Sequence, residues 1–158
     1  MSWGIRPDTE LEFASSPLLT RCIVLGKLES SPYPAPIHPF DPKTNPNPNY
    51  LPWHGHITAL TIAPQARRQG LATLLTRTLE AQCEADDAWF VDLFVRTDNE
   101  NAKQLYKKLG YSVYRVVREY YSDGCNAWDM RKPLKRDKDR DTIRANGEEC
   151  FVDPSDVW

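Results

Sequence analysis

The sequence predicts an α/β fold, a mixed central sheet flanked by helices. Three observations carry that prediction. Residues 57–75 read as a strand, a tight basic loop and the start of a helix. Residues 89–96 form the most apolar run, suited to a central strand covered on both faces. The order strand, helix, strand, helix, strand, hairpin strand belongs to α/β architecture. A right-handed crossover makes the first two of these strands parallel neighbours.

The elements follow in order. Residues 1–20 carry little pattern, although Ile5, Leu11 and Phe13 could reach a core and Ser15-Ser16-Pro17 reads as a turn. Arg21–Leu28 reads as a strand, a short apolar run bounded by Gly26-Lys27. Residues 31–52 hold eight of the thirteen prolines. The missing N–H donors exclude helix and central strand, so an extended insertion is expected there. Pro36-Ile37-His38-Pro39 has the spacing of a recognition motif, but prolines this dense produce that spacing by chance. Trp53–Ala63 is the next strand, with His54, His56 and Thr58 on one face and Gly55, Ile57 and Ala59 on the other. Pro64 ends it.

Leu71–Glu84 is helical, because Leu71, Leu74, Leu75, Thr78, Leu79 and Gln82 keep i, i+3, i+4 spacing. After the apolar strand, Thr97-Asp98-Asn99 supplies an N-cap for a short helix to Lys108. Its buried stripe is Ala102, Leu105, Tyr106 and Leu109, and Gly110 is its stop. Tyr111–Tyr121 reads as a long strand, Ser122-Asp123-Gly124 as a hairpin turn and Ala127–Arg131 as the return strand, stopped by Pro133. Residues 134–158 read as a charged C-terminal tail, a solvated helix or a mobile segment around Lys135–Asp141. Phe151, Val152, Val157 and Trp158 could dock back or onto a partner. The expected division is one domain over 1–133, interrupted at 31–52, and the tail.

Composition narrows the function classes. A chain of 158 residues with net charge −2 lacks the basic excess of a nucleic-acid binder. Four dispersed cysteines without a Cys-x-x-Cys pair suit free thiols in a reducing compartment. With no apolar stretch of spanning length and no signal-like start, a soluble cytoplasmic protein is expected.

The chemistry concentrates at Arg67-Arg68-Gln69-Gly70-Leu71-Ala72. Backbone N–H groups at a helix start, flanked by two guanidiniums, form an anion site suited to a pyrophosphate. A turn with a solvated basic corner is the competing reading. His54 and His56 could also be two metal ligands, but no third is near in sequence, so no metal is expected.

These six residues match the Q/R-x-x-G-x-G/A signature of the GNAT acetyltransferase superfamily. A second unit, Asp92 to Tyr111, resembles the family's other strand–helix half. More narrowly, Trp53-His54-Gly55-His56-Ile57-Thr58-Ala59-Leu60, Phe90–Arg96, Leu109–Arg115 and Glu119-Tyr120-Tyr121 resemble NatB-type N-terminal acetyltransferase catalytic subunits, and Asp129-Met130-Arg131-Lys132-Pro133 with Ile143-Arg144-Ala145-Asn146-Gly147-Glu148 resembles the fungal forms. The likeness is strong over residues 53–133 and weaker over 19–28 and 134–158.

The resemblance implies acetyl transfer from acetyl-CoA to the α-amine of nascent chains beginning Met-Asp, Met-Glu, Met-Asn or Met-Gln. It implies a large helical-repeat auxiliary subunit and, through it, the ribosome, with no direct nucleic-acid or membrane contact. Carried over by residue, the cofactor site is Thr61, Ile62, Arg67, Arg68, Gln69, Gly70, Leu71, Ala72, Asn99 and Tyr106. Tyr106 also serves as the catalytic donor at the sulfur, and the Leu60 backbone meets the reacting carbonyl. His56, Thr58, Tyr120 and Tyr121 bind the substrate peptide. Read without the resemblance, Tyr106 is a half-buried aromatic, Asn99 a helix cap, and Tyr120 and Tyr121 a structural pair of which one faces away. Family members begin with two helices that shape the peptide groove. No stretch of this sequence matches them, so an incomplete peptide site is expected. A non-catalytic acyl-CoA-binding scaffold and an acetyltransferase for another amine are the alternatives.

Overall fold

A computed structural model describes residues 22–31, 43–44 and 50–157, and the backbone of 9–14. Its framework is one seven-stranded sheet. The strands are β1 (Thr9–Ala14), β2 (Cys22–Glu29), β3 (His54–Ile62), β4 (Phe90–Arg96), β5 (Ser112–Val117), β6 (Ala127–Pro133) and β7 (Phe151–Val152). Two helices, α1 (Leu71–Ala85) and α2 (Glu100–Lys108), follow β3 and β4. The spatial order is β1-β2-β3-β4-β6-β5-β7. β3 and β4 are parallel, as expected of two strands joined through a helix, and β5 and β6 form the expected antiparallel pair.

β4 sits at the centre because, apart from Asp92 and the final Arg96, its side chains are apolar on both faces. Val91, Leu93 and Val95 join one core cluster with Leu75, Leu79 and Cys83 of α1 and Tyr106 of α2. Both helices therefore cover the same face. α1 lies close to the sheet at two glycines. A Cβ on Gly26 would stand 2.5 Å from Leu79 Cδ1, and one on Gly55 would stand 2.3 Å from Cys83 Sγ. Asn99 caps α2 by accepting from the Ala102 N–H at 3.2 Å, and Gly110 leaves the helix at φ 95°.

Three expectations are corrected. Strand β5 stops at Val117 rather than Tyr121. Glu119 adopts φ 45°, and its N–H is taken by the Asn126 side chain at 2.9 Å, which turns the chain out of the ladder. Residues 118–126 form a loop, with the predicted turn at its tip, where the Gly124 N–H donates to the Tyr121 carbonyl at 2.9 Å. Residues 9–14, unpatterned in sequence, pair with β2.

Residues 134–157 are neither a solvated helix nor a free tail. Asp137, buried, accepts from the Asp141 and Thr142 N–H groups and the Thr142 hydroxyl. Gly147 packs so tightly that a Cβ would stand 1.8 Å from the Val113 carbonyl oxygen. β7 then pairs in parallel with β5. Most of the proline-rich stretch, Ile5, Ser15-Ser16-Pro17 and Trp158 lie outside the described residues. The ends of that stretch are held together by mutual Ser31–Leu51 hydrogen bonds, backbone N–H to carbonyl and N–H to Oγ, each 2.9 Å.

Candidate active site

The loop after β3 comes first. A single 3-10 turn over Pro64–Ala66 leads into Arg67, Arg68 and Gln69, all exposed. Arg68 at φ 64° and Gly70 at φ 79° are both left-handed, a conformation in which successive N–H groups converge. A Cβ on Gly70 would meet nothing within 4 Å, so it is the dihedral and not crowding within the chain that calls for glycine. Arg67 Nε donates to the Ile62 carbonyl at 3.2 Å, and Gln69 Nε2 to the Gln65 carbonyl at 3.3 Å, which fix the loop on the strand end. α1 opens without a side-chain cap and without an acidic residue in its first turn. Its leading N–H groups and positive dipole end are thus left for an external anion.

A gap runs from this loop into the sheet. β3 pairs with β4 only from Gly55–Val91 to Ile57–Leu93. The β2–β3 register then shifts between Leu25 and Gly26, with Thr58 as the extra residue on β3. Such a bulge bends the strand and swaps the faces of the residues beyond it. Leu60 and Ile62 accordingly pack on the core cluster. The β4-side edge of residues 58–62 is left facing the gap. Tyr106 lies on the helical side, 6 % exposed, its ring 5.5 Å edge-on from Tyr111. Burial pushes its phenol up to about 12, so it stays protonated and able to donate.

The opposite face of the sheet carries a cavity of about 250 Å³. His54, His56, Asp92, Phe94, Tyr120 and Val157 contribute to its lining, with Lys27, Glu29, Leu51 and Arg115. Asp92 is buried at the centre of β4. Its Oδ1 accepts from His56 Nδ1 at 2.8 Å, and its Oδ2 lies 3.8 Å from His54 Nε2. Burial alone would raise the Asp92 carboxyl. His54, the His56 hydrogen bond and Arg131 outweigh it and hold the group at about 2. His56 shows the same contest with the sign reversed. Burial favours the neutral ring, but the Asp92 bond and charge, with Glu29, raise its pKa above the ordinary value. Phe94 stacks on Tyr120 at 4.8 Å, and Tyr121 turns aside beneath the Arg96 guanidinium at 4.9 Å.

Residues 49–134 match the model of the acetyltransferase (GNAT) domain. The chain belongs to the GNAT acetyltransferase family. Among curated GNAT proteins, it is 50 % identical over 109 residues to the N-terminal acetyltransferase B complex catalytic subunit of Schizosaccharomyces pombe, covering 66 % of this chain and 61 % of that one. It is 42 % identical over 121 residues to the corresponding Saccharomyces cerevisiae subunit, covering 66 % and 62 %. The chain thus spans less than two thirds of the length of these relatives. Among solved structures it resembles Chaetomium thermophilum Naa20 in complex with a bisubstrate analogue, at TM-score 0.77 and 53 % identity, over 87 % of this chain and 72 % of that one. A second is the NatB acetyltransferase complex bound to a bisubstrate inhibitor, at TM-score 0.68 and 32 % identity, over 94 % and 76 %.

The expected GNAT fold is therefore observed, and the expected residues fall into two groups. Arg67 to Ala72 surround the α1 start, while Leu60, Thr61 and Ile62 lie along β3 past the bulge. Asn99 begins α2 at the carboxyl end of β4, and Tyr106 lies within that helix. His56 and Tyr120 meet in the cavity on the other face. Thr58 does not join them. The bulge takes it out of alternation, and it is exposed and absent from the cavity wall. Tyr121 is absent from that wall as well, turned toward Arg96 within the 118–126 loop rather than by strand alternation. Sequence reasoning gave no site role to Asp92, Glu29 or Arg115, and expected of Val157 only that it could dock back or onto a partner; it lines the cavity. Asp92 did carry a signal: a lone carboxylate in a central apolar strand needs a partner, and two histidines stand on the neighbouring strand.

Proposed function

We propose that the chain is the catalytic subunit of a NatB-type N-terminal acetyltransferase. It takes acetyl from acetyl-CoA and delivers it to the α-amine of chains beginning Met-Asp, Met-Glu, Met-Asn or Met-Gln. The observation that carries this reading is the pair of sites on opposite faces of the sheet, an anion cradle and a polar cavity, joined by the gap between β3 and β4.

Acetyl-CoA supplies an activated thioester. The uncapped N–H groups of Leu71 and Ala72, with Arg67, Arg68, Gln69 and Gly70, suit its pyrophosphate, and Thr61, Ile62 and Asn99 flank the path inward. Backbone N–H groups from Leu60 onward are the donors for the oxyanion. A free α-amine has a pKa of about 7.7–8.0, so a substantial minority is neutral near pH 7 and an ordered water suffices as proton acceptor. Tyr106, kept protonated by burial, gives its hydroxyl hydrogen bond or proton to the leaving thiolate. His56 and Tyr120 hold the acceptor peptide. The auxiliary subunit, the ribosome and a cytoplasmic site of action belong to the same reading, supported by the relatives' membership of an acetyltransferase B complex.

The test is turnover of a Met-Asp peptide against a Ser-starting peptide, with and without the auxiliary subunit, alongside calorimetry with acetyl-CoA. Met-Asp turnover that falls at least tenfold in Tyr106→Phe with unchanged acetyl-CoA binding supports the reading. Acetyl-CoA binding without turnover would instead favour a non-catalytic scaffold.

A further inference from the structure

The cavity contains a group that acetyl transfer itself does not require. Asp92 is the one acidic residue of β4 and is 4 % exposed. As an ionised carboxylate it can only accept, so the 2.8 Å contact puts a proton on His56 Nδ1. That bond fixes the tautomer and turns Nε2 to the far edge of the ring. Among the described residues His56 Nε2 has no partner, and the ring lines the cavity.

We propose that Asp92 is a positioning residue that makes His56 a pH-dependent reader of the substrate's second side chain, favouring a carboxylate at low pH and an amide at high pH. This rests on the reading that the cavity receives that side chain.

The chemistry follows from the tautomer. Cationic His56 presents an Nε2–H, which gives an ion-paired bond to the carboxylate of a Met-Asp substrate and a weaker bond, charged on one side only, to the amide oxygen of Met-Asn. On deprotonation the remaining proton stays on Nδ1 against Asp92, and Nε2 presents a lone pair. A carboxylate then meets lone pair against lone pair. An amide turns over and donates its NH₂. Met-Asp loses its interaction while Met-Asn keeps one.

The other charges around the ring do not undo this. Glu29 on β2 favours the cation, and Lys27, 2.5 Å from Glu29, opposes it. On β3 itself, His54 Nδ1 donates to the Pro52 carbonyl at 2.7 Å. Arg115 on β5 is held by Asp129 of β6 at 2.9 Å, and Arg131 of β6 also pairs with Asp129, at 3.2 Å. Burial, with the Asp92 and Asp129 charges, raises Tyr120 above its usual value, so it does not titrate between pH 6 and 9.

The experiment measures kcat/KM for Met-Asp and Met-Asn peptides from pH 6 to 9, with the full chain and its auxiliary subunit. Deprotonation of the α-amine affects both peptides alike and cancels in their ratio. The Met-Asp to Met-Asn ratio should fall about tenfold through a single titration, as the carboxylate loses its ion-paired bond while the amide keeps a neutral one. In Asp92→Asn the fall should move to lower pH, and the His56 ring-proton titration followed by NMR should move with it. In His56→Gln the ratio should be flat, which keeps the test available if Asp92→Asn does not fold. Turnover of both peptides at a constant ratio overturns this proposal and leaves the acetyltransferase reading standing. A transition unmoved in folded Asp92→Asn removes the role of Asp92. Failure to turn over either peptide overturns both.

Discussion

Gly55 couples the two sites mechanically, and its replacement by alanine tests that coupling. The residue lies on β3 between the two histidines and directly under α1. An added Cβ would stand 2.3 Å from Cys83 Sγ, 3.3 Å from Cys83 Cβ and 3.4 Å from Val91 Cγ2. Non-bonded heavy atoms settle at about 3.5–4.0 Å, so the helix must lift by roughly 1 Å. Cys83 is fully buried and cannot swing clear. Overpacking of this kind costs about 1–3 kcal/mol. For a chain of this size each 1 kcal/mol moves Tm by about 2–4 °C, so Gly55→Ala should lower Tm by roughly 2–12 °C. Because α1 carries the anion cradle and β3 carries His56, acetyl-CoA affinity should fall as well. Cys83→Ala removes the sulfur that clashes. Calorimetric melts of both single variants and the double variant form a thermodynamic cycle. The double variant should recover most of the Tm lost in Gly55→Ala, a coupling of about 1 kcal/mol or more. If the two single effects simply add, the close approach of α1 is not why glycine stands there.

Three other outcomes are expected. Arg68→Glu should weaken acetyl-CoA binding about tenfold or more by calorimetry, with Tm unchanged because the side chain is exposed and the loss is one charge-assisted contact. Gly147→Ala should detach the C-terminal segment, since its Cβ would meet immobile backbone at Val113; hydrogen exchange at residues 150–157 should rise well before the sheet melts. The third concerns acid. The folded Asp92 pKa of about 2 lies below the usual value of about 3.9, so its stabilisation, on the order of 2 kcal/mol, is present above pH 4 and is lost as pH falls toward 2. The Tm gap between the wild type and Asp92→Asn should therefore close over that interval, and a gap constant with pH would refute the assignment.

The sheet was legible wherever the local pattern and the tertiary environment agree. The apolar run at 90–96 can only be central, and Asn99 and Gly110 mark both ends of α2. Reading failed where one residue breaks a period. Thr58 looks like a partner of His56 until the bulge removes it from alternation, and a bulge has no side-chain signature of its own. β1 has a partner that only the fold supplies. The polar run after 134 is pinned by Asp137 and by a glycine pressed on β5, contacts distant in sequence. Of the site, the basic loop was readable because its backbone chemistry is local. The His56–Asp92 pair was not, because it spans 36 positions and forms only when β3 and β4 lie side by side.

The parting of β3 from β4 also has a kinetic consequence. On the proposed reading donor and acceptor enter from opposite faces, so neither need leave before the other arrives. Among the described residues no thiol lines the cavity; Cys22 of β2 and Cys83 of α1 are both buried, and the Cys83 pKa is raised to about 12 by burial and the charges of Asp86 and Glu80. A route through an acetylated enzyme therefore has no thiolate among the described residues of the cavity to use. Double-reciprocal plots with acetyl-CoA and peptide varied together should intersect rather than run parallel, the mark of a ternary complex whose two halves meet through a slot in the sheet.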